Sequence, residues 1–142
     1  MAIIQTLTTS FKVELAQGLH NFTAGTGDVF KLALYTANAD LGASTTAYTA
    51  SGECSGTNYT AGGIALTNIT PTFQGTTAYW TFDTATFTNV TLTTNGALIY
   101  NSTNGDRSVA VLNFGVNITK TAQNLVITFP AADATNAVLR IA

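Results

Sequence analysis

Charged side chains are the scarcest class in this chain. Only 8% of its 142 residues are Asp, Glu, Lys or Arg, where about 25% is usual for a soluble domain. The five Lys and Arg are scattered singly, and the net charge is −2. A surface without a basic patch excludes nucleic acid as a partner. Cysteine is limited to Cys54, so no internal disulfide can form, and such usage fits synthesis in a reducing compartment. No apolar run approaches the ~20 residues that span a bilayer. The start, MAIIQTLTTS, lacks the charged n-region and apolar core of a secretory signal.

What the chain does have is apolar residues, at 46%, and threonine, at about a fifth of all positions. The length sets one domain, 1–142, with enough apolar side chains for a core. Threonine is β-branched and suits half-buried pleated surfaces. An uncharged, Thr-rich surface also lacks the usual repulsion between free monomers. That points to a surface covered by partners, although a merely polar β-domain has the same composition.

The periodicity predicts an all-β chain. The strongest signals are two Asn-Gly pairs, Asn95-Gly96 and Asn104-Gly105, set between apolar or alternating runs. Asn-Gly favours the type I′ turn, which needs positive φ at both central residues. Two such turns in series predict a three-strand antiparallel meander over 86–114. Strands are further expected at 28–36, 64–73, 77–83, 124–129 and 137–141, with Pro71 marking an edge. In the first of these Phe30, Leu32 and Leu34 share one face, and Val29, Lys31, Ala33 and Tyr35 the other. Ser10 is the expected cap of one short helix, FKVELAQ, that stops at Gly18. About eight strands and one helix read as an antiparallel β-sandwich or jelly roll. Residues 1–9 read as an extended arm of the kind that a partner orders. The long segment 37–63 reads as a functional or contact loop anchored by Tyr48 and Tyr59.

Chemical constellations are absent. His20 has no histidine at metal-ligand spacing, and its expected role is structural. Cys54 lies in a Gly-Ser-rich loop without a nucleophile signature. The seven carboxylates, Glu14, Asp28, Asp40, Glu53, Asp83, Asp106 and Asp133, are spread along the chain; a glycosidase pair would need two of them in one aromatic-lined cleft. Asn104, Gly105 and Asp106 alone match a calcium loop weakly. The glycine-rich run 56–63 lacks the Lys of a phosphate loop and leads into no helix, so its glycines read as turn formers. Six Asn-x-Ser/Thr sequons occur, as a chain rich in Asn and Thr makes them by chance. The expectation is a protein that is not an enzyme and holds neither metal nor cofactor.

Three segments carry a resemblance. They are SFKVELAQGLHNF followed by DVFKLALYTANADLGASTTAYTASGECSGTNYTAGGIALTN, then GALIYNSTNGDRSVAVLNFG, then TFPAADATNAVLRIA. Together they resemble a family of small tailed-bacteriophage virion structural proteins, most distinctly from LALYT through the E-x-SGT-x-YTAGG pattern of 32–63. The resemblance implies a virion protein with a β-sandwich body, first as a capsid decoration or cement protein that binds the major capsid protein. A tail- or fibre-associated component is the alternative, with Tyr48, Tyr59 and Trp80 as residues for a host glycan. Cys54 stands where the resemblance has an aliphatic residue. Partners are then the major capsid protein and copies of the chain itself, a trimer ahead of a dimer, with no nucleic acid and no membrane. The location is the virion surface, after synthesis in the host cytoplasm. Ile3, Ile4 and Thr6 of the arm, with Tyr48 and Tyr59 of the loop, are the candidate partner contacts.

Overall fold

In a computed structural model that describes residues 2–142, the strand Phe30–Tyr35 is buried on both faces. Its alternation explains why. Phe30, Leu32 and Leu34 enter one apolar cluster, while Ala33 and Tyr35 enter a second. A strand can bury both faces only when it lies inside a sheet with a layer on each side.

The elements in chain order are β1 (Thr6–Leu7), α1 (Thr9–Ala16), β2 (Phe30–Tyr35), β3 (Ile64–Ala65), β4 (Asn68–Gln74), β5 (Thr77–Phe82), β6 (Ala85–Asn101), β7 (Arg107–Ile127) and β8 (Leu139–Ile141). They form an all-β sandwich of two antiparallel sheets, ordered β1-β7-β6-β2-β3 and β4-β5-β8. Between the sheets, Phe30 stacks on Phe22 at 4.2 Å, and Trp80, Phe82 and Leu139 close the core from the small sheet. Phe11 of α1 joins the same cluster, edge-on to Phe22 at 6.0 Å. On the opposite face of the large sheet, Tyr35, Leu98, Tyr100 and Val111 are covered by Ile3, Ala39, Leu41 and Tyr48. Thus Ile3 of the arm and the 39–48 part of the long loop form a third, irregular layer, while Leu7, Cys54 and Tyr59 pack on the core between the sheets.

The meander is corrected to a hairpin. Asn95-Gly96 makes no turn: neither residue has positive φ, and both lie inside the seventeen-residue β6. Gly96 pairs with Tyr35 on one side and Asn113 on the other. A Cβ there would meet the Leu112 carbonyl oxygen at 2.5 Å and Ile3 Cγ2 at 2.9 Å. Close approach requires this glycine, and the local turn preference is overridden. The pair still disturbs the ladder, since Asn95 lies opposite the bulged segment 114–117. Asn104-Gly105 does mark a reversal, but not the expected type I′ turn: Gly105 (φ 68°) and Asp106 (φ 55°) are left-handed and Asn104 is not, and Asn101 Oδ1 accepts from the Thr103 and Asn104 amides.

The expected strand 124–129 is likewise the far end of β7, which runs with bulges from Arg107 to Ile127. The count of eight survives because the expected 64–73 strand splits into β3 and β4 and the arm supplies β1. Pro71 does sit on an edge strand, at a break in register between Ile69 and Thr72. Thr8, in place of Ser10, caps α1: its backbone is extended and its Oγ1 accepts from Phe11 N at 3.4 Å. The end at Gly18, with φ 73°, is as expected.

Candidate functional site

Ile3 and Tyr48 of the expected contact residues meet in the third layer, Tyr59 packs on the inter-sheet core, and Glu53 holds the long loop together. Its Oε1 accepts from the Tyr48 hydroxyl at 2.6 Å, and its Oε2 from the Tyr59 hydroxyl at 2.7 Å and Gly62 N at 2.8 Å. Tyr59 also accepts from Leu34 N at 2.9 Å, which ties this carboxylate cradle to β2. Tyr100 donates to the Gly62 carbonyl at 2.6 Å and Tyr35 to the Thr49 carbonyl at 2.6 Å. Four tyrosines thus fasten one loop to the sheet. Burial, with the Glu53 carboxylate next in weight, pushes the Tyr48 phenol up to about 12. Burial followed by Glu53 raises Tyr35 and Tyr59 further. The E-x-SGT-x-YTAGG pattern is therefore a self-bracing loop. A Cβ on Gly56 would strike the Thr91 carbonyl, and one on Gly63 the Leu32 carbonyl, so close packing explains those glycines.

The arm lies beside this loop. Ile4 N donates to the Leu41 carbonyl at 2.9 Å, and Leu41 N to the Ala2 carbonyl at 3.0 Å. Thr6 and Leu7 pair with Val111 and Ala110 of β7. Asn113 clamps the arm twice, through its amide to Gln5 Oε1 at 3.1 Å and through Nδ2 to the Ile3 carbonyl at 2.9 Å. This corrects the expectation of an arm ordered by a partner: residues 2–7 are ordered by the chain's own sheet, and Met1 lies outside the described residues. Among the five candidate contacts, Ile3 is buried within the chain at 6% exposure, Ile4 is open at 62%, and Thr6, Tyr48 and Tyr59 are half-buried. Sequence reasoning missed Asn113, Leu41 and Ala39. None carries a local signal, because their roles arise only when arm and loop meet on β7.

A second polar cluster ties α1 to the hairpin turn. Glu14 is buried and accepts from Arg107 at 2.8 Å, with His20 Nε2 at 3.0 Å from its other oxygen. Asn101 Nδ2 lies 3.1 Å from His20 Nδ1 and donates to Asp28 Oδ2 at 2.8 Å. Since Asn101 Oδ1 already accepts two amides, this network assigns Nδ1 of His20 as acceptor and Nε2–H as donor to Glu14. His20 thus cross-braces the fold and faces no nucleophile. Cys54 packs in the core at 5% exposure, its thiol donates to the Thr93 carbonyl at 3.0 Å, and burial pushes it up, away from thiolate reactivity.

Three surface clefts bear on the chemical candidates. The first, of about 500 Å³, is lined by apolar side chains that include Leu7, Leu112, Phe114, Ile127, Phe129 and Val138, and has no charged lining residue. The second, about 420 Å³, includes His20 and Trp80 but no carboxylate, and the third, about 280 Å³, has Asp28 alone. None brings two carboxylates together. Among the described residues no group of three His, Cys, Asp or Glu side chains is placed to hold a metal ion, and no helix is long and apolar enough to cross a membrane. Trp80 is buried, Tyr48 stacks on Tyr100 at 5.0 Å, and Tyr59 stacks on Phe87 at 5.8 Å. Of the three residues named for a glycan, Trp80 is therefore buried, with an edge on the second cleft, and Tyr48 and Tyr59 are half-buried.

No protein-family model matches the chain, and neither a curated protein nor a solved structure matches it.

Proposed function

We propose that this chain is a non-enzymatic structural component of a tailed-bacteriophage virion. Within that class it is a capsid decoration or cement protein that binds the major capsid protein as a closed oligomer, a trimer ahead of a dimer. Its place is the particle surface, after synthesis in the host cytoplasm. The observation that supports this reading best is the direction in which the polar groups point. Glu14, Glu53, His20 and Cys54, the groups from which chemistry could be built, all brace the interior. The outward positions of the long hairpin are instead uncharged: Thr86, Thr88, Thr91 and Thr93 on β6, and Thr119 and Thr121 on β7. Thr93 and Thr119 even bond to each other across the strands at 3.0 Å. A braced, charge-poor β-surface suits repeated docking on a lattice, where many copies supply avidity and each contact can be modest. The sequence resemblance points the same way.

The test is stoichiometry. Quantitative mass spectrometry of purified particles should find this chain at a copy number comparable with the major capsid protein. A few copies per particle, lost together with the tail, would overturn the capsid role in favour of the tail- or fibre-associated one.

A further inference from the structure

We infer that residues 2–7 are an exchangeable strand: in assemblies the arm of one copy leaves its own groove and fills the same groove on a second copy of this chain. The occupant follows from the groove. The surface formed by the β7 edge at Ala110–Asn113 and the loop at Leu41 already holds this sequence, so a second copy's arm fits it by identity. Exchange is a low-cost route to oligomers because each interaction the arm gives up in its own chain is made again in the next.

Three features make this arm the element that exchanges. It is terminal, and it is held by two ladder pairs, one bridge at Ile3, the Asn113 clamp, one buried side chain, Ile3, and one half-buried side chain, Leu7, against the main core. Segments with so little buried apolar surface open at low free energy. Its hinge is fixed. Thr8 is fully buried, donates its amide to the Val109 carbonyl at 3.1 Å and caps α1, so opening stops there and leaves the helix intact. Its reach is adequate, since six extended residues span ~20 Å. Exposed Ile4, beside Gly42, gains cover when two bodies approach. Exchange concerns how copies join and stands or falls independently of which particle they belong to.

A cysteine pair reads the exchange directly. A Cβ built on Gly42 lies 3.8 Å from Ile4 Cβ and meets nothing else within 4 Å, and ~3.8 Å is the usual Cβ spacing of a disulfide. Gly42 is not left-handed and Ile4 is exposed, so neither change strains the fold. In a Cys54→Ala background, Ile4→Cys chains are mixed with Gly42→Cys chains, dissociated with mild denaturant, reassembled and oxidised with glutathione disulfide. Neither chain can close a bond within itself. Exchange predicts a mixed disulfide-linked dimer, with the 4–42 linkage confirmed by peptide mass. The double variant should likewise give covalent dimers for reciprocal exchange or trimers for cyclic exchange on a non-reducing gel. Double-variant chains that cross-link only within monomers at every concentration, together with no mixed dimer in the paired experiment, would overturn the proposal.

Discussion

Glu53 illustrates how one carboxylate can organise a long loop in a chain with almost no charge. It collects two phenols and a backbone amide, and hydrogen bonds to an ionised group are the strong ones. Glu53→Gln keeps the shape but removes the charge and one acceptor. The expected cost is about 2 kcal/mol, seen as a lower urea midpoint with an unchanged slope. An unaltered midpoint would mean that the tyrosines hold the loop by packing alone. The same cradle sets a pH dependence. Tyr48 and Tyr100 are both pushed from an ordinary value of 10.0 to about 12, chiefly by burial. Between those values the unfolded chain has lost phenolic protons that the folded chain keeps. Stability is therefore intact below pH 10 and falls as pH rises towards 12. Thermal melts across that range should show the fall, and Tyr48→Phe should flatten it. A melting temperature that stays level to pH 12 in the parent protein would contradict this assignment.

The two Asn-Gly pairs look alike in sequence and do opposite things in the fold, which gives a sharp comparison. Gly105 is left-handed with open space around it. Gly105→Ala should cost about 1 kcal/mol, the usual strain of an L-residue in that region. Gly96 is not left-handed but is pressed against Leu112 and Ile3, so Gly96→Ala should cost about 3 kcal/mol as an overpacked site. Equal costs in equilibrium unfolding would refute the distinction. It also shows what the sequence could reveal. Local chemistry with a local outcome was legible: the β2 alternation, the helix stop at Gly18, Pro71 on an edge, and the turn at Asn104-Gly105. Where a residue answers to a partner far along the chain, it was not. Gly96 serves Ile3 and Leu112, Asn113 serves the arm, and Asn101 joins His20 to Asp28. Their spacing in sequence carries no period. Segment 37–63 was legible as an anchored loop because it lacks periodicity and contains Tyr48 and Tyr59. That it forms a layer over β2 and β6 was not, since Ala39 and Leu41 are ordinary residues in an irregular stretch.

The molecule as a whole keeps its sheet edges out of use. β1, β3 and β8 are two or three residues long, and β4 carries Pro71 at its irregularity. The long edge of β7 is interrupted by left-handed Gly115 and Ala122 and carries Lys120. Short, bulged, proline-bearing or Lys-bearing edges resist unplanned pairing. Under the proposed exchange, association runs through uncharged faces and through the arm. Such interfaces have a distinct salt signature. Raising ionic strength from 0.1 M to 1 M shortens the Debye length from about 10 Å to about 3 Å and weakens exposed ion pairs. Here the arm groove at Leu41, Ala110, Val111 and Asn113 presents no charged side chain, and the exposed positions of the hairpin strands are uncharged. Self-association measured by sedimentation equilibrium across that range should change by no more than about twofold, or tighten slightly as salt favours apolar burial. A steep loss with salt would place the interface at charged residues such as Lys12 or Arg140, and away from the arm and the uncharged hairpin face.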